Sequence, residues 1–387
     1  MNELYKISWA LICYSTSYAL VILLPLMLGV EFYGKFTIVK FQFDLLVAVF
    51  MFGASQAYFR ISRILTLQII ESCNFSIMTI LVFIILFFKY SLDLDIAQFT
   101  IVSAGLYSII QIWRLRFLKC DQVKIYQGIN AIFPVIIIFQ ALILALLDIS
   151  IKPEIMVLLS SALSVVFVLL VRLKVREAVK IAPFPNFMTL KLYLRNTSSG
   201  AMMHTAQFLL PVGITYIFTK SHYPIESIGE FGIAWGVYML VLAPSIMFGG
   251  NVIEFLENND GRSPAFLQIR ILVLLLGVVI LIYGVIVWLF VIGNLNIQKH
   301  STISLLAIQV IIMSGIRCSI PILLWRGKIS SLFIIELSRL FLGLIIAYAM
   351  SPRSLIEYAV FLLTIEVFTC ILVFVSIRGK KENDAIF

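Results

Sequence analysis

Long apolar stretches separated by short polar segments run through the whole chain. Backbone groups in hydrocarbon must find their hydrogen-bond partners within their own segment. A hydrocarbon core of about 30 Å takes roughly 20 residues of helix to cross. Read on that basis, the pattern predicts twelve membrane-spanning helices. Six lie near 7–28, 36–59, 72–90, 96–113, 125–147 and 154–172. Six more lie near 197–219, 228–252, 266–292, 301–324, 329–350 and 355–377. The longest connection, 173–196, is basic, carries Pro183 and Pro185, and falls near the middle of the 387 residues. The predicted division is therefore 1–180 for an amino-terminal six-helix lobe and 181–387 for a carboxy-terminal one. No other connection has room for a soluble domain.

A short signature recurs half a chain apart. The first copy is Gly34-Lys35-Phe36, then Phe52-Gly53-Ala54, then Phe59-Arg60. The second is Gly229-Glu230-Phe231, then Phe248-Gly249-Gly250, then Phe255, at a near-constant offset. Each copy reads as a glycine turn that opens an apolar span and a second glycine that closes it. Gly and Phe abound here, so the weight lies in three matches standing in order. Six spans per half is an even number, so both halves enter the membrane from the same side. The lobes are then expected to be related by a pseudo-two-fold axis along the membrane normal. The fold class is all-α integral membrane.

Composition agrees. The chain is 61% hydrophobic and 13% charged, with a mean hydropathy of +1.06, and such a chain cannot supply the polar surface of a soluble fold. A net charge of +9 would suit nucleic acid, but the charges cluster between apolar runs and form no basic stripe with interleaved aromatics. Their distribution reports orientation instead. With a cytoplasmic amino terminus, each outer segment holds one cation: Lys35, Lys89, Lys152, Lys220, Lys299 or Arg353. Lys40, Arg317 and Arg339 fall inside spans, and the rest of the 29 Lys and Arg fall on the inner side. Both termini are expected to be cytoplasmic. The first apolar run is long and no small-residue cleavage site follows it, so it reads as an uncleaved helix. Five cysteines without paired spacing and three distant histidines predict no disulfide framework, metal site or cofactor.

Charged and polar residues within the spans are the candidates for function, because an ion in hydrocarbon is costly. Lys40 and Asp44 stand one helical turn apart on one face. Measured from Gly34, Lys40 lies about 9 Å into its helix, so snorkelling or a local pair competes with a cavity-lining role. Asp44, a turn deeper, is harder to explain at a surface. Glu336 and Arg339 are three apart in span eleven, and Glu366 lies near the middle of span twelve. An Arg339–Glu366 salt bridge across neighbouring helices competes with proton or ion coupling at Glu366. Arg317 near the inner end of span ten reads as snorkelling. His204 and Gln207 share one side of span seven, and Gln56 and Asn251 mark the inner ends of spans two and eight. Interhelical hydrogen bonding is the plainer reading of these four. Arg60 and Arg63 serve orientation at the mouth of span two and could also meet an anionic headgroup. Asp93-Leu94-Asp95 has the form of a sugar-phosphate metal motif, but its very short outer loop argues against catalysis.

The signature resembles the amino-terminal region of bacterial polysaccharide-biosynthesis flippases of the O-antigen translocase type. These belong to the multidrug/oligosaccharidyl-lipid/polysaccharide exporter superfamily. The residues that carry the likeness are Leu24-Pro25-Leu26, Gly29, Phe32-Tyr33-Gly34-Lys35-Phe36, and Phe52-Gly53-Ala54-Ser55 before Arg60. Ile228-Gly229-Glu230-Phe231 with Ala234 resembles the start of that family's eighth helix. The resemblance implies two lobes in a V around a cavity lined by helices one, two, seven and eight. It implies movement of an undecaprenyl-diphosphate-linked oligosaccharide from the inner to the outer leaflet of the bacterial inner membrane. Cations in the cavity would hold the diphosphate and glycan acids; here Lys40, Arg60 and His204 lie on the matching helices, with Arg317 on span ten. H+ or Na+ as a coupling ion, with Asp44 or Glu366 to carry it, and polysaccharide-assembly partners such as a polymerase belong to the same expectation. Two rivals remain. A multidrug exporter of the same superfamily would share the fold and differ in substrate. A membrane glycosyltransferase, polymerase or ligase would need a long outer loop, which this chain lacks, so no enzyme is expected.

Overall fold

The computed structural model describes residues 13, 16, 19–21, 23–54, 65–92, 97–119, 123–175, 185–236, 239 and 329–378. Its long elements, in order, are α1 (Val30–Met51), α2 (Leu67–Leu92), α3 (Gln98–Lys119) and α4 (Val123–Leu147). They continue with α5 (Pro153–Lys174), α6 (Phe187–Lys220), α7 (Ile329–Met350) and α8 (Leu355–Arg378). Shorter helical stretches occupy Ala19–Leu28 and 225–236. Among the described residues, five helices are long and apolar enough to cross a membrane. Predicted spans five, six, eleven and twelve coincide with α4, α5, α7 and α8 to within two residues at each end. Spans nine and ten lie outside the described residues.

The chain forms two compact units, Met1–Thr215 and Tyr216–Phe387. The division falls inside α6, after the join expected at 180. The first turns of α6 pack on the first unit, where Leu190, Tyr193 and Leu194 meet Ala54, Ile70, Cys73 and Leu115. The buried Tyr193 hydroxyl donates to Asn74 Oδ1 of α2.

In the first unit α3 is the hub, packing against α1, α2, α4 and α5. Its position explains its sequence. A helix surrounded by others need not be greasy all round, and α3 buries Thr100, Ser103 and Ser108 completely. The two serines donate to carbonyls one turn back, Phe99 at 2.5 Å and Ala104 at 2.7 Å, so neither hydroxyl is stranded. The outer helices show the opposite pattern. Phe83 and Phe87 of α2, Leu146 of α4 and Leu170 of α5 are all more than half exposed, an apolar surface suited to lipid. Phe43, Tyr107 and Phe133 join α1, α3 and α4 with ring centroids 4.8–5.4 Å apart.

In the second unit α7 packs on α8. Phe218, Phe231 and Tyr358 form a second aromatic trio at 5.5–5.7 Å. The Tyr358 hydroxyl donates to the Ser227 carbonyl at 3.2 Å.

Several sequence boundaries need correction. The glycine that opens α1 is Gly29, with φ of 83°, and Gly34 is buried within the helix. A single glycine costs a helix only about 1 kcal/mol. The local pattern also favours helix, since Glu31 lies in the first turn and pairs with Lys35 at 2.7 Å. The closing glycine stands where the signature predicts it, but α1 ends before it, at Met51, in left-handed Phe52 (φ 35°) and Gly53 (φ 71°). A β-carbon at Gly53 would stand 2.6 Å from the Thr197 carbonyl oxygen, so the close approach of α6 requires glycine there. Gly229 is likewise buried in the second turn of the 225–236 helix, so both opening glycines of the signature are helical. Finally, α3 runs on through Arg114 and Arg116, and α6 begins ten residues before the predicted span, within the connection 173–196. Charge interrupts hydropathy in both places without interrupting the helix.

Candidate functional site

Lys40 and Asp44 form an ion pair at 2.5 Å on α1. Because the helix starts at Val30 and ends at Met51, Lys40 lies about 15 Å from either end at 1.5 Å per residue. That is the middle of α1, farther from a helix end than the snorkelling position measured from Gly34. The Lys40 ammonium also lies 5.6 Å from the Phe43 ring centroid, and the aromatic trio fixes that ring. From Phe36 to Met51 no residue of α1 is fully exposed, so the pair is not on an outer, lipid-facing surface. About a quarter of each side chain remains accessible, 27% for Lys40 and 25% for Asp44. By helical period Val47 and Met51 share this half-open face. The arrangement is a paired charge at the middle of a largely buried helix.

His204 and Gln207 are half-buried on α6, three residues apart and therefore on one side of it. Gln56, Arg60, Asn251 and Arg317 lie outside the described residues, as do Asp93-Leu94-Asp95 and most of the second copy of the signature.

In the second unit one guanidinium joins two carboxylates. Arg339 Nη2 is 2.9 Å from Glu366 of α8, and Arg339 Nη1 is 3.2 Å from Glu336 on its own helix. The three side chains are 5%, 1% and 4% exposed in the order Arg339, Glu366, Glu336. The i,i+3 spacing is visible in sequence; the bridge to α8 follows from the packing of α7 on α8. The cluster ties two helices together and places two acids beside one base, out of solvent.

Several contacts are not legible in sequence, where their residues read as loop charges. Arg116 meets Glu71 of α2 at 3.1 Å. The Arg114 Nε donates to the Tyr126 carbonyl at 3.1 Å, and its guanidinium covers the Tyr126 ring at 4.0 Å. Arg172, in the last turn of α5, is buried against Trp113 at 4.8 Å. Lys191 and Arg195 stand on α6 rather than in a loop. The Asn186 side chain caps that helix, accepting the Thr189 amide at 2.8 Å. The sequence does hold a signal for the last case: Pro185-Asn186, then Leu190 and Leu194 at helical spacing.

The described helices form an all-α fold in which five are long and apolar enough to cross a membrane, and solved structures share that fold. The chain is similar to the lipid II flippase MurJ in an inward closed conformation, at TM-score 0.68 and 13% identity over 97% of this chain and 88% of that one. It is similar to a MATE family multidrug transporter of the MOP superfamily in an outward-facing conformation, at TM-score 0.62 and 13% identity over 96% and 93%. It is also similar to the MATE multidrug transporter DinF-BH, at TM-score 0.59 and 14% identity over 96% and 93%. These likenesses are of fold. No family model and no curated protein sequence matches the chain.

Proposed function

We propose that the chain is a flippase that moves an undecaprenyl-diphosphate-linked oligosaccharide repeat unit across the bacterial inner membrane by alternating access. Twelve helices in two six-helix lobes, with both termini cytoplasmic, rock about a polar path. A glycan cannot cross about 30 Å of hydrocarbon unaided, so the protein supplies that path while the lipid tail stays in the bilayer. The observation that carries the reading is the Lys40–Asp44 pair at the midpoint of α1, the helix that the sequence reads as the second membrane span. Intramembrane ions held away from lipid mark substrate and ion pathways. Lys40, Arg60, His204 and Arg317 are the cations offered to the diphosphate and to glycan acids. Gln56, Gln207 and Asn251 are the neutral polar groups. Asp44, or Glu366 in its cluster with Arg339 and Glu336, is the candidate to carry H+ or Na+; the same cluster serves equally as a salt bridge within its lobe. The substrate class is supported by the resemblance of the Phe32–Phe36 and Phe52–Arg60 segments, and by the fold likeness to a protein named as a lipid II flippase.

A multidrug exporter is the second reading, favoured by the fold likeness to several multidrug transporters. Deleting the gene in its native host separates the two. A flippase deletion loses surface polysaccharide and accumulates undecaprenyl-linked single repeat units on the cytoplasmic side. Unchanged long polymer at the surface, with altered drug sensitivity alone, would favour the exporter.

A further inference from the structure

We infer that the outward face of the first three turns of α6 is a binding surface for anionic phospholipid headgroups. Phe187, Met188, Lys191 and Arg195 are all exposed; Lys191 stands four residues after Phe187 and three after Met188, and Arg195 four after Lys191, so they share one face. The far side is fixed: Tyr193, opposite these four, packs on α2 and its surroundings and is hydrogen-bonded to Asn74, while Leu190 and Leu194 pack along the edge between the two faces. The helix start is fixed as well by the Asn186 cap. The exposed face therefore has a defined direction.

Its chemistry is one-sided. All of α6, 34 residues, contains no carboxylate. Glu71, in the neighbouring first turns of α2, is occupied by Arg116. Lys191 and Arg195 come before the apolar stretch Gly200–Lys220, and the segment packs where the apolar span Leu67–Ser91 of α2 begins. That is the depth of the bilayer surface. Side chains on a helix tilt toward its amino terminus, so both cations are directed back toward the headgroups. Bases beside exposed apolar side chains on one helical face are the composition of an interfacial surface. Cations that no carboxylate among the described residues pairs with attract anionic lipid at that level. The surface does not depend on which substrate the protein carries.

The test uses the full-length protein in neutral detergent, following thermal unfolding with added phosphatidylglycerol or phosphatidylcholine. Phosphatidylglycerol is expected to raise the midpoint more than phosphatidylcholine, and salt at about 0.5 M to shrink the difference. Lys191→Gln with Arg195→Gln should remove more than half of the phosphatidylglycerol-specific increment. Lys152→Gln with Lys220→Gln, exposed cations away from this face, should leave it intact. Each single variant, Lys191→Gln or Arg195→Gln, should give a partial loss, which keeps the test open if the double variant fails to fold. An unchanged increment in the Lys191/Arg195 variants overturns the assignment. So does an equal loss in the Lys152/Lys220 control, or an equal stabilisation by inorganic phosphate alone.

Discussion

The Lys40–Asp44 pair can be dissected by a double-mutant cycle. Asp44→Ala strands an ammonium about 15 Å from either end of α1, and Lys40→Ala strands a carboxylate at nearly the same depth. An unpaired charge at a helix centre costs about 2.5–3.5 kcal/mol on insertion scales. Breaking a fully buried pair costs about 3–5 kcal/mol. A quarter of each side chain is still accessible, which puts each single variant at the lower end, about 2–3 kcal/mol. Lys40→Met with Asp44→Leu removes both charges and keeps the shape of each side chain's skeleton, a change that is often neutral or stabilising. Thermal unfolding of purified protein reads stability, and complementation of the deletion strain reads function. Both single variants are expected to lose stability and activity, and the double variant to regain stability without regaining activity. A double variant that restores polysaccharide export to the wild-type level would refute a role in transport and leave the pair as a staple. Single variants as stable as the wild type would show that neither charge is confined in low dielectric.

Other expectations follow from individual contacts. Gly53→Ala should cost about 2–4 kcal/mol, since it combines a left-handed φ with a β-carbon against the Thr197 carbonyl. Gly29→Ala meets open space, so its loss of about 1–3 kcal/mol, read by the same unfolding midpoint, is backbone strain alone at φ 83° and ψ 160°, and an unchanged midpoint would contradict that. Arg339→Met leaves two carboxylates buried together and should cost about 3–5 kcal/mol, more than Glu336→Gln, which leaves the Arg339–Glu366 bridge in place. Equal membrane abundance and unfolding midpoint for Arg339→Met and wild type would count against that. Tyr193→Phe removes the hydrogen bond to Asn74 and should lower stability by about 1 kcal/mol, checked by the same unfolding measurement.

The helices α4, α5, α7 and α8 are legible because about 20 mainly apolar residues run together in each, so that length and overall hydropathy decide them. Legibility fails where charge and hydropathy part company. The last turn of α3 and the first turns of α6 read as loops, because Arg114, Arg116, Lys191 and Arg195 interrupt the apolar pattern. The partners of the first two, Tyr126 and Glu71, are supplied by other helices and cannot be read locally. Gly34 reads as a turn because sequence shows a residue's preference, while Gly29 carries the positive φ. Among the candidate residues, Lys40–Asp44 and Glu336–Arg339 are legible, as one-turn spacing makes their contact a local matter. The Arg339–Glu366 bridge is also one that the order of neighbouring spans suggests, whereas the Tyr193–Asn74 bond joins positions 119 apart. No periodicity announces such a bond.

The most direct measurement of transport is made on purified protein in proteoliposomes loaded with a labelled undecaprenyl-diphosphate oligosaccharide of the native host. An enzyme or quencher confined to one side reads how much label has changed leaflet. A flippase is expected to speed that exchange well above empty liposomes, and the stable Lys40→Met/Asp44→Leu variant to leave it near background. Exchange no faster than in empty liposomes, by protein that still extrudes a cationic drug, would contradict the proposal.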